Sequence, residues 1–274
     1  MDKNKTIALL ERLGLAPQKR FGQNFLISHT ISEKITKIVL EDESEVIYEI
    51  GPGLGALSDY LVETAKQVKL VEIDHGLAFY LKKRYEEKAN VEVIDQDILK
   101  VPFLQQRLSV ISNLPYYITT SIIEKVILDN QNLVNFVFMV QQEVSERLFA
   151  SPKSKEYGPL AVLLNLTGTI KHVLNADKTA FYPSPNVNSS VYVFRLKEHG
   201  LALRPLYKFI KALFLMRRKT LLNNLVTLVG DRNKATSIIL QAGLDLKVRP
   251  EEVEAQKFVL LFKYFDEEGT EEGI

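Results

Sequence analysis

A chain of 274 residues, 46% apolar and 25% charged, leaves room for one large domain and a small one, and the absence of cysteine excludes disulfides, cysteine-ligated metals and thiol nucleophiles. The four histidines (His29, His75, His172, His199) show no metal-ligand spacing, and neither a signal peptide nor a membrane span is legible, so a cytoplasmic protein without a metal is expected. A net charge of +1 argues against a polyanion partner only as an average, because acids crowd into Glu41–Glu45 and the tail while bases dominate from Arg204 to Arg249.

The first forty residues read as helical, interrupted by Lys19-Arg20-Phe21-Gly22-Gln23-Asn24-Phe25-Leu26. From Val46 onward, short apolar runs alternate with amphipathic stretches. Val46–Ile50, Val68–Ile73, Val91–Ile94, Leu108–Ile111 and Phe136–Val140 are predicted as buried strands. Ala56–Thr64, Gly76–Lys88, Ile118–Asp129 and Glu143–Leu148 are predicted as helices. Such alternation implies a parallel, doubly wound α/β sheet. Two further strands, Ala161–Ile170 and Ser189–Leu196, are expected to pair antiparallel at one edge. After Leu196 helical periodicity takes over at Leu206–Leu215, Thr220–Val229, Lys234–Gln241 and Gln256–Tyr264, with Gly230 and Gly243 as stops. The expected division is 1–198 and 199–274, the second part all-helical and basic.

Glu49-Ile50-Gly51-Pro52-Gly53-Leu54-Gly55 follows the first strand of the sheet and opens a helix, where glycines let the backbone approach a ligand closely. Its spacing differs from the dinucleotide fingerprint G-x-G-x-x-G. Glu72 closes the second strand about twenty residues on, where an acid can take both hydroxyls of a ribose. Asp97, after the third strand, is placed to reach the amino group of an adenine. Each acid alone also reads as a helix cap. At the end of the fourth strand stands Asn113-Leu114-Pro115-Tyr116. An Asn side-chain oxygen and the next carbonyl can accept both hydrogens of an exocyclic amine, Pro stiffens the loop, and Tyr offers a face for stacking.

Taken together, these stretches resemble the ribosomal RNA adenine N6-dimethyltransferase family of S-adenosylmethionine-dependent enzymes. The resemblance runs from about Lys19 to Leu225, through Lys19–Leu26, Glu49–Leu57, Ser112–Ile118, Met139–Val144, Phe181-Tyr182-Pro183-Ser184-Pro185-Asn186-Val187 and Arg217-Arg218-Lys219-Thr220-Leu221-Leu222-Asn223-Asn224-Leu225. The last stretch looks like the housekeeping small-subunit branch. That branch acts on two adjacent adenosines in a hairpin loop near the 3′ end of 16S-type rRNA, whereas macrolide-resistance members act on the large-subunit rRNA. Departures are small: Thr119-Thr120 stands where Ser-Thr is usual, and Phe214-Leu215-Met216 precedes the arginine pair.

The resemblance implies a Rossmann-like methyltransferase sheet with a small C-terminal helical domain. It implies S-adenosylmethionine held by Asn24, Leu26, Gly51, Gly53, Glu72, Asp97 and Asn113. It further implies that Asn113 and the Leu114 carbonyl hold the target amine while Tyr116 and Phe181 sandwich the adenine. Lys19, Arg20, Arg217, Arg218 and Lys219 are the expected RNA contacts, and the small ribosomal subunit precursor the expected partner. Lacking heptads or an exposed apolar stripe, the chain is expected to be a monomer. Two other readings stay open. A NAD-dependent dehydrogenase explains Glu72 but neither the Asn113–Tyr116 socket nor the basic segment, and an RNA-binding assembly or transcription factor needs no turnover.

Overall fold

Helix signals open the chain: Asp2 caps α1 (Lys3–Leu13) by accepting from the Lys5 N–H, and Gly14 ends it at φ 64°. The computed structural model describes residues 2–18 and 21–270, with the backbone alone at Tyr116 and 268–270. There follow β1 (Phe25–Leu26), α2 (His29–Glu41), β2 (Val46–Ile50), α3 (Ser58–Leu61), β3 (Val68–Glu72), α4 (His75–Arg84), β4 (Val91–Asp95), β5 (Leu108–Asn113), α5 (Thr119–Asp129), β6 (Leu133–Gln141) and α6 (Gln142–Leu148). Then come α7 (Pro159–Thr167), β7 (Gly168–Ala176), β8 (Phe181–Tyr182), β9 (Ser189–Leu196), α8 (Leu203–Leu213), α9 (Leu221–Val229), α10 (Arg232–Gln241) and α11 (Ala255–Thr270).

The chain divides into two units, Met1–Ser145 with Thr169–Leu196, and Glu146–Gly168 with Lys197–Ile274. The second unit therefore draws on 146–168, which the sequence reading placed in the first.

In the first unit the strand order is β4-β3-β2-β5-β6-β9-β7. The pairs β3–β4, β2–β3, β2–β5 and β5–β6 are parallel, and β9 joins β6 antiparallel. Every residue of β2 and β3 is buried, as expected of strands covered on both faces. Order reverses at β2, which lies between β3 and β5, and that switch point opens a crevice at the carboxyl ends of the strands. A separate antiparallel pair, β1 with β8, sets Leu26 opposite Phe181.

One element differs in type from its prediction. Ala161–Ile170 was expected as a strand, but Pro159–Thr167 is helix α7 and the strand begins only at Gly168. The run Leu160–Leu166 is buried at every position but Asn165, so it carries no periodicity that could separate helix from strand. The deciding local signal is Pro159 behind Gly158, since Pro at the first helical position loses no hydrogen bond. The helix expected over Ala56–Thr64 is a single turn, α3, flanked by non-helical turns.

The second unit packs α7 with α8 to α11 around Val162, Phe209, Leu213, Leu221, Leu225, Ile238 and Phe258. Thr220 caps α9, Gly230 ends it at φ 81°, and Asp231 caps α10. Gly230 is the stop expected from the sequence, whereas the two caps were not singled out there.

Candidate active site

The crevice and the open solvent at its mouth together hold about 1060 Å³ of free space. The floor of the crevice is the loop after β2. Gly51 sits at φ 66°, a region in which side chains are strained, and a Cβ built there would meet nothing within 4 Å. That open space, on a crevice-lining residue, is a cradle for a ligand's close approach. Gly55 is constrained from behind: at φ 88°, a Cβ would lie 2.7 Å from the Tyr85 hydroxyl, which donates to Asp59.

Glu72 ends β3 and is 4% exposed. Its Oε2 accepts the Gly53 N–H and its Oε1 the Asp74 N–H, both at 3.0 Å. Each oxygen keeps further acceptor capacity toward the crevice, as two ribose hydroxyls would need. Burial pushes this carboxyl up to about 7, against the pull of those amides. Glu49, to which the sequence reading gave no role, also lines the crevice. It accepts the Ser58 hydroxyl at 2.6 Å, and burial raises it to about 8. Asp97 combines both of its sequence readings: it lines the crevice and its Oδ1 caps the turn Ile98–Lys100 by accepting from the Leu99 N–H at 2.9 Å.

Asn113 ends β5 with its Nδ2 donating to the Asn24 carbonyl at 3.0 Å. Among the described residues none donates to its Oδ1, so that oxygen is an open acceptor. The Leu114 N–H donates back into the sheet, to the Met139 carbonyl at 3.1 Å. Pro115 leads into the turn Tyr116–Ile118, and the Thr119 hydroxyl donates to the Pro115 carbonyl at 3.0 Å, bracing the loop. The Tyr116 side chain lies outside what is described. Tyr117, which the sequence reading left aside, is half exposed on the crevice wall.

Asn24 and Leu26 line the crevice as expected, joined by Phe21, Gly22, Gln23 and Phe25. Phe181 is placed otherwise than expected. It is 2% exposed and packs in the core with Leu26, Ile35 and Val191. As the chain stands it offers no free face to a base.

Of the expected RNA contacts, Lys19 and Arg20 lie outside the described residues. Arg217, Arg218 and Lys219 are exposed between α8 and α9, next to Leu215, which is 80% exposed. Arg217 is partly committed: its Nη2 donates to the Lys155 and Tyr157 carbonyls at 2.8 and 2.9 Å, tying down that loop of its own unit. Among the described residues no cluster of His, Asp or Glu is arranged to hold a metal, and no helix is long and apolar enough to cross a membrane.

An open sheet with a glycine cradle at its switch point and Glu72, Asp97 and Asn113 gathered at its strand ends is the architecture of a Rossmann-like S-adenosylmethionine-dependent methyltransferase. Solved structures agree. A dimethyladenosine transferase from Plasmodium falciparum superposes with a TM-score of 0.76 at 25% identity, over 89% of this chain and 98% of that one. The 23S rRNA methyltransferase ErmE gives 0.64 at 23% identity, over 89% and 100%, and shows likeness of fold. The chain belongs to the ribosomal RNA adenine dimethylase family, whose model matches residues 15–267. It is 38% identical over 274 residues to the ribosomal RNA small subunit methyltransferase A of Streptococcus pneumoniae, covering 94% of both chains.

Proposed function

We propose that this enzyme transfers methyl groups to N6 of two adjacent adenosines in a hairpin loop near the 3′ end of 16S-type small-subunit rRNA, giving N6-dimethyladenosine. The substrate is the rRNA within a small-subunit precursor, and the enzyme works as a cytoplasmic monomer during ribosome biogenesis. The resemblance of Arg217–Leu225 to the small-subunit branch, together with a near full-length relative named for small-subunit rRNA methylation, supports this choice over a large-subunit target.

The observation that carries the chemistry is the orientation of Asn113, whose amide nitrogen is spent on Asn24 and whose oxygen is left open. When bound, S-adenosylmethionine supplies an electrophilic methyl on a sulfonium sulfur. Gly51 and Gly53 admit it, Glu72 takes its ribose hydroxyls, Asp97 its adenine amine, and Asn24, Leu26 and Asn113 complete the wall. An adenine amine is a poor nucleophile because its lone pair is delocalised into the ring. Asn113 Oδ1 and the Leu114 carbonyl accept its two hydrogens, which favours a pyramidal nitrogen with the lone pair free. The rest is placement, worth up to roughly 7–11 kcal/mol when near-attack geometry is enforced. The proton lost on alkylation leaves to water.

Drawing the adenine out of its stack costs a few kcal/mol, least in an RNA loop, and stacking on Tyr116 returns about 1–3 kcal/mol. Arg218 and Lys219, with Arg217, Lys19 and Arg20, meet phosphates. The test is Asn113→Ala: single-turnover methylation of small-subunit particles should fall at least a hundredfold while particle binding is kept. A variant with near-normal turnover would remove Asn113 from the amine socket.

A further inference from the structure

One wall of the crevice is a segment that the glycine loop does not explain. Phe21 to Asn24 line the crevice, and Gln18 is folded onto them. The Gln18 N–H donates to Gln23 Oε1 at 2.8 Å, and the Phe21 N–H to the Gln18 carbonyl at 3.1 Å. Both glutamine side chains then converge on one carboxylate oxygen, Asp74 Oδ2. Gln18 Nε2 donates to it at 2.6 Å and Gln23 Nε2 at 3.1 Å. Asp74 is 6% exposed, and its other oxygen caps α4 by accepting from the Gly76 and Leu77 N–H groups. A helix cap needs only one acceptor. The second oxygen instead reaches residues 51 and 56 positions away, and a charged acceptor suits two converging donors.

The consequence is directional. The oxygen and nitrogen of an Asn amide have nearly the same shape, so packing alone does not choose which of them faces the crevice. The Asn24 carbonyl does choose, because it accepts and cannot donate, and so draws the Asn113 nitrogen toward itself. Asn24 follows directly on Gln23, which the carboxylate holds. We propose that Asp74 is a positioning residue for methyl transfer: it clamps Gln18 and Gln23 and, through the Asn24 carbonyl, fixes Asn113 with its oxygen toward the target amine. The clamp also ties this wall to the ribose-reaching acid, since the Asp74 N–H donates to Glu72 Oε1. This inference rests on the role proposed for Asn113.

Asp74→Asn separates clamp from cap. Asn caps helices as well as Asp does, but the substitution turns an NH₂ group toward two amide donors. Single-turnover methylation of small-subunit particles at saturating S-adenosylmethionine should slow about tenfold or more, as small misplacements at a reacting centre do, with the Tm within a few degrees of wild type. Adding Gln18→Glu supplies an acceptor for the new donor and should restore most of the rate. Hydrogen exchange at the backbone amides of Gln23 and Asn24 should quicken in the single variant and slow again in the double one. Gln18→Ala with Gln23→Ala, which leaves the cap untouched, should reproduce the loss.

A rate within twofold of wild type in either Asp74→Asn or the double alanine variant overturns the proposal. So does a loss that comes with a lowered Tm and is not restored by Gln18→Glu, since that marks a folding role alone. Wild-type protein run in parallel keeps the two readings apart. If it transfers no methyl to the particle, the proposed function fails, and the exchange rates still decide whether the clamp exists.

Discussion

Replacing Glu72 by Gln changes one atom and should change cofactor binding in a pH-dependent way. The carboxylate already accepts the Gly53 and Asp74 N–H groups, one on each oxygen. A Gln side chain turns a donor toward one of these amides and also leaves one ribose hydroxyl without an acceptor. Hydrogen bonds to a charged group are worth about 1.5–3 kcal/mol, so the Kd for S-adenosylmethionine should rise about 10- to 150-fold at pH 8. Burial raises the wild-type carboxyl to about 7. Hydroxyl donors favour the ionised form, of which about a tenth is present at pH 6 and about nine-tenths at pH 8, so wild-type affinity should climb about ninefold across that range. The Gln variant should stay flat, and the two curves should approach each other toward pH 6. Calorimetric titration at pH 6, 7 and 8 measures both. A flat wild-type profile, or equal affinities at pH 8, would remove Glu72 from the cofactor site.

Neutralising Arg218 and Lys219 should lower the slope of log binding constant against log salt for the ribosomal particle by about 0.7–0.9 for each phosphate left without its cation. Cofactor affinity should not change, and an unaltered slope means the patch does not bind RNA. Gly55→Ala puts a side chain at φ 88° and 2.7 Å from the Tyr85 hydroxyl, and should cost about 1–3 kcal/mol in denaturant unfolding; a neutral result would mean the loop has slack to move. Glu49 is held up to about 8 by burial, above its ordinary 4.5. Its contribution to stability is therefore fully present below pH 4.5 and lost as pH rises through about 8. Glu49→Gln should flatten the stability profile across that window, and an unchanged slope in denaturant titrations at pH 5 and pH 8 would refute the assignment.

What could be read from sequence depended on how local the cause was. Val46–Ile50 and Ser189–Leu196 have the predicted bounds because apolar runs between turn signals leave little choice. The glycine loop, Glu72, Asp97 and Asn113 all stand at strand ends because the parallel alternation fixes where those ends fall. Helix α7 was misread because an all-apolar run has no period. Phe181 was expected to stack on the adenine because its motif does not reveal the residues that bury it, Leu26, Ile35 and Val191, of which the first two lie about 150 positions away. Arg217 was expected to contact RNA, and its hold on two carbonyls of its own unit could not be read because they lie 60 and 62 residues away. The clamp on Asp74 was illegible for the same reason: the carboxylate lies 56 and 51 residues from the two glutamines it holds.

The most direct test of the central claim is to incubate the enzyme and radiolabelled S-adenosylmethionine with small-subunit particles lacking the modification, then digest the rRNA to nucleosides. The account predicts label in N6-dimethyladenosine, about four methyl groups per particle for two dimethylated adenosines, confined to one fragment from the 3′ end of the small-subunit rRNA. Label in another nucleoside, in the large-subunit rRNA, or in none would contradict it.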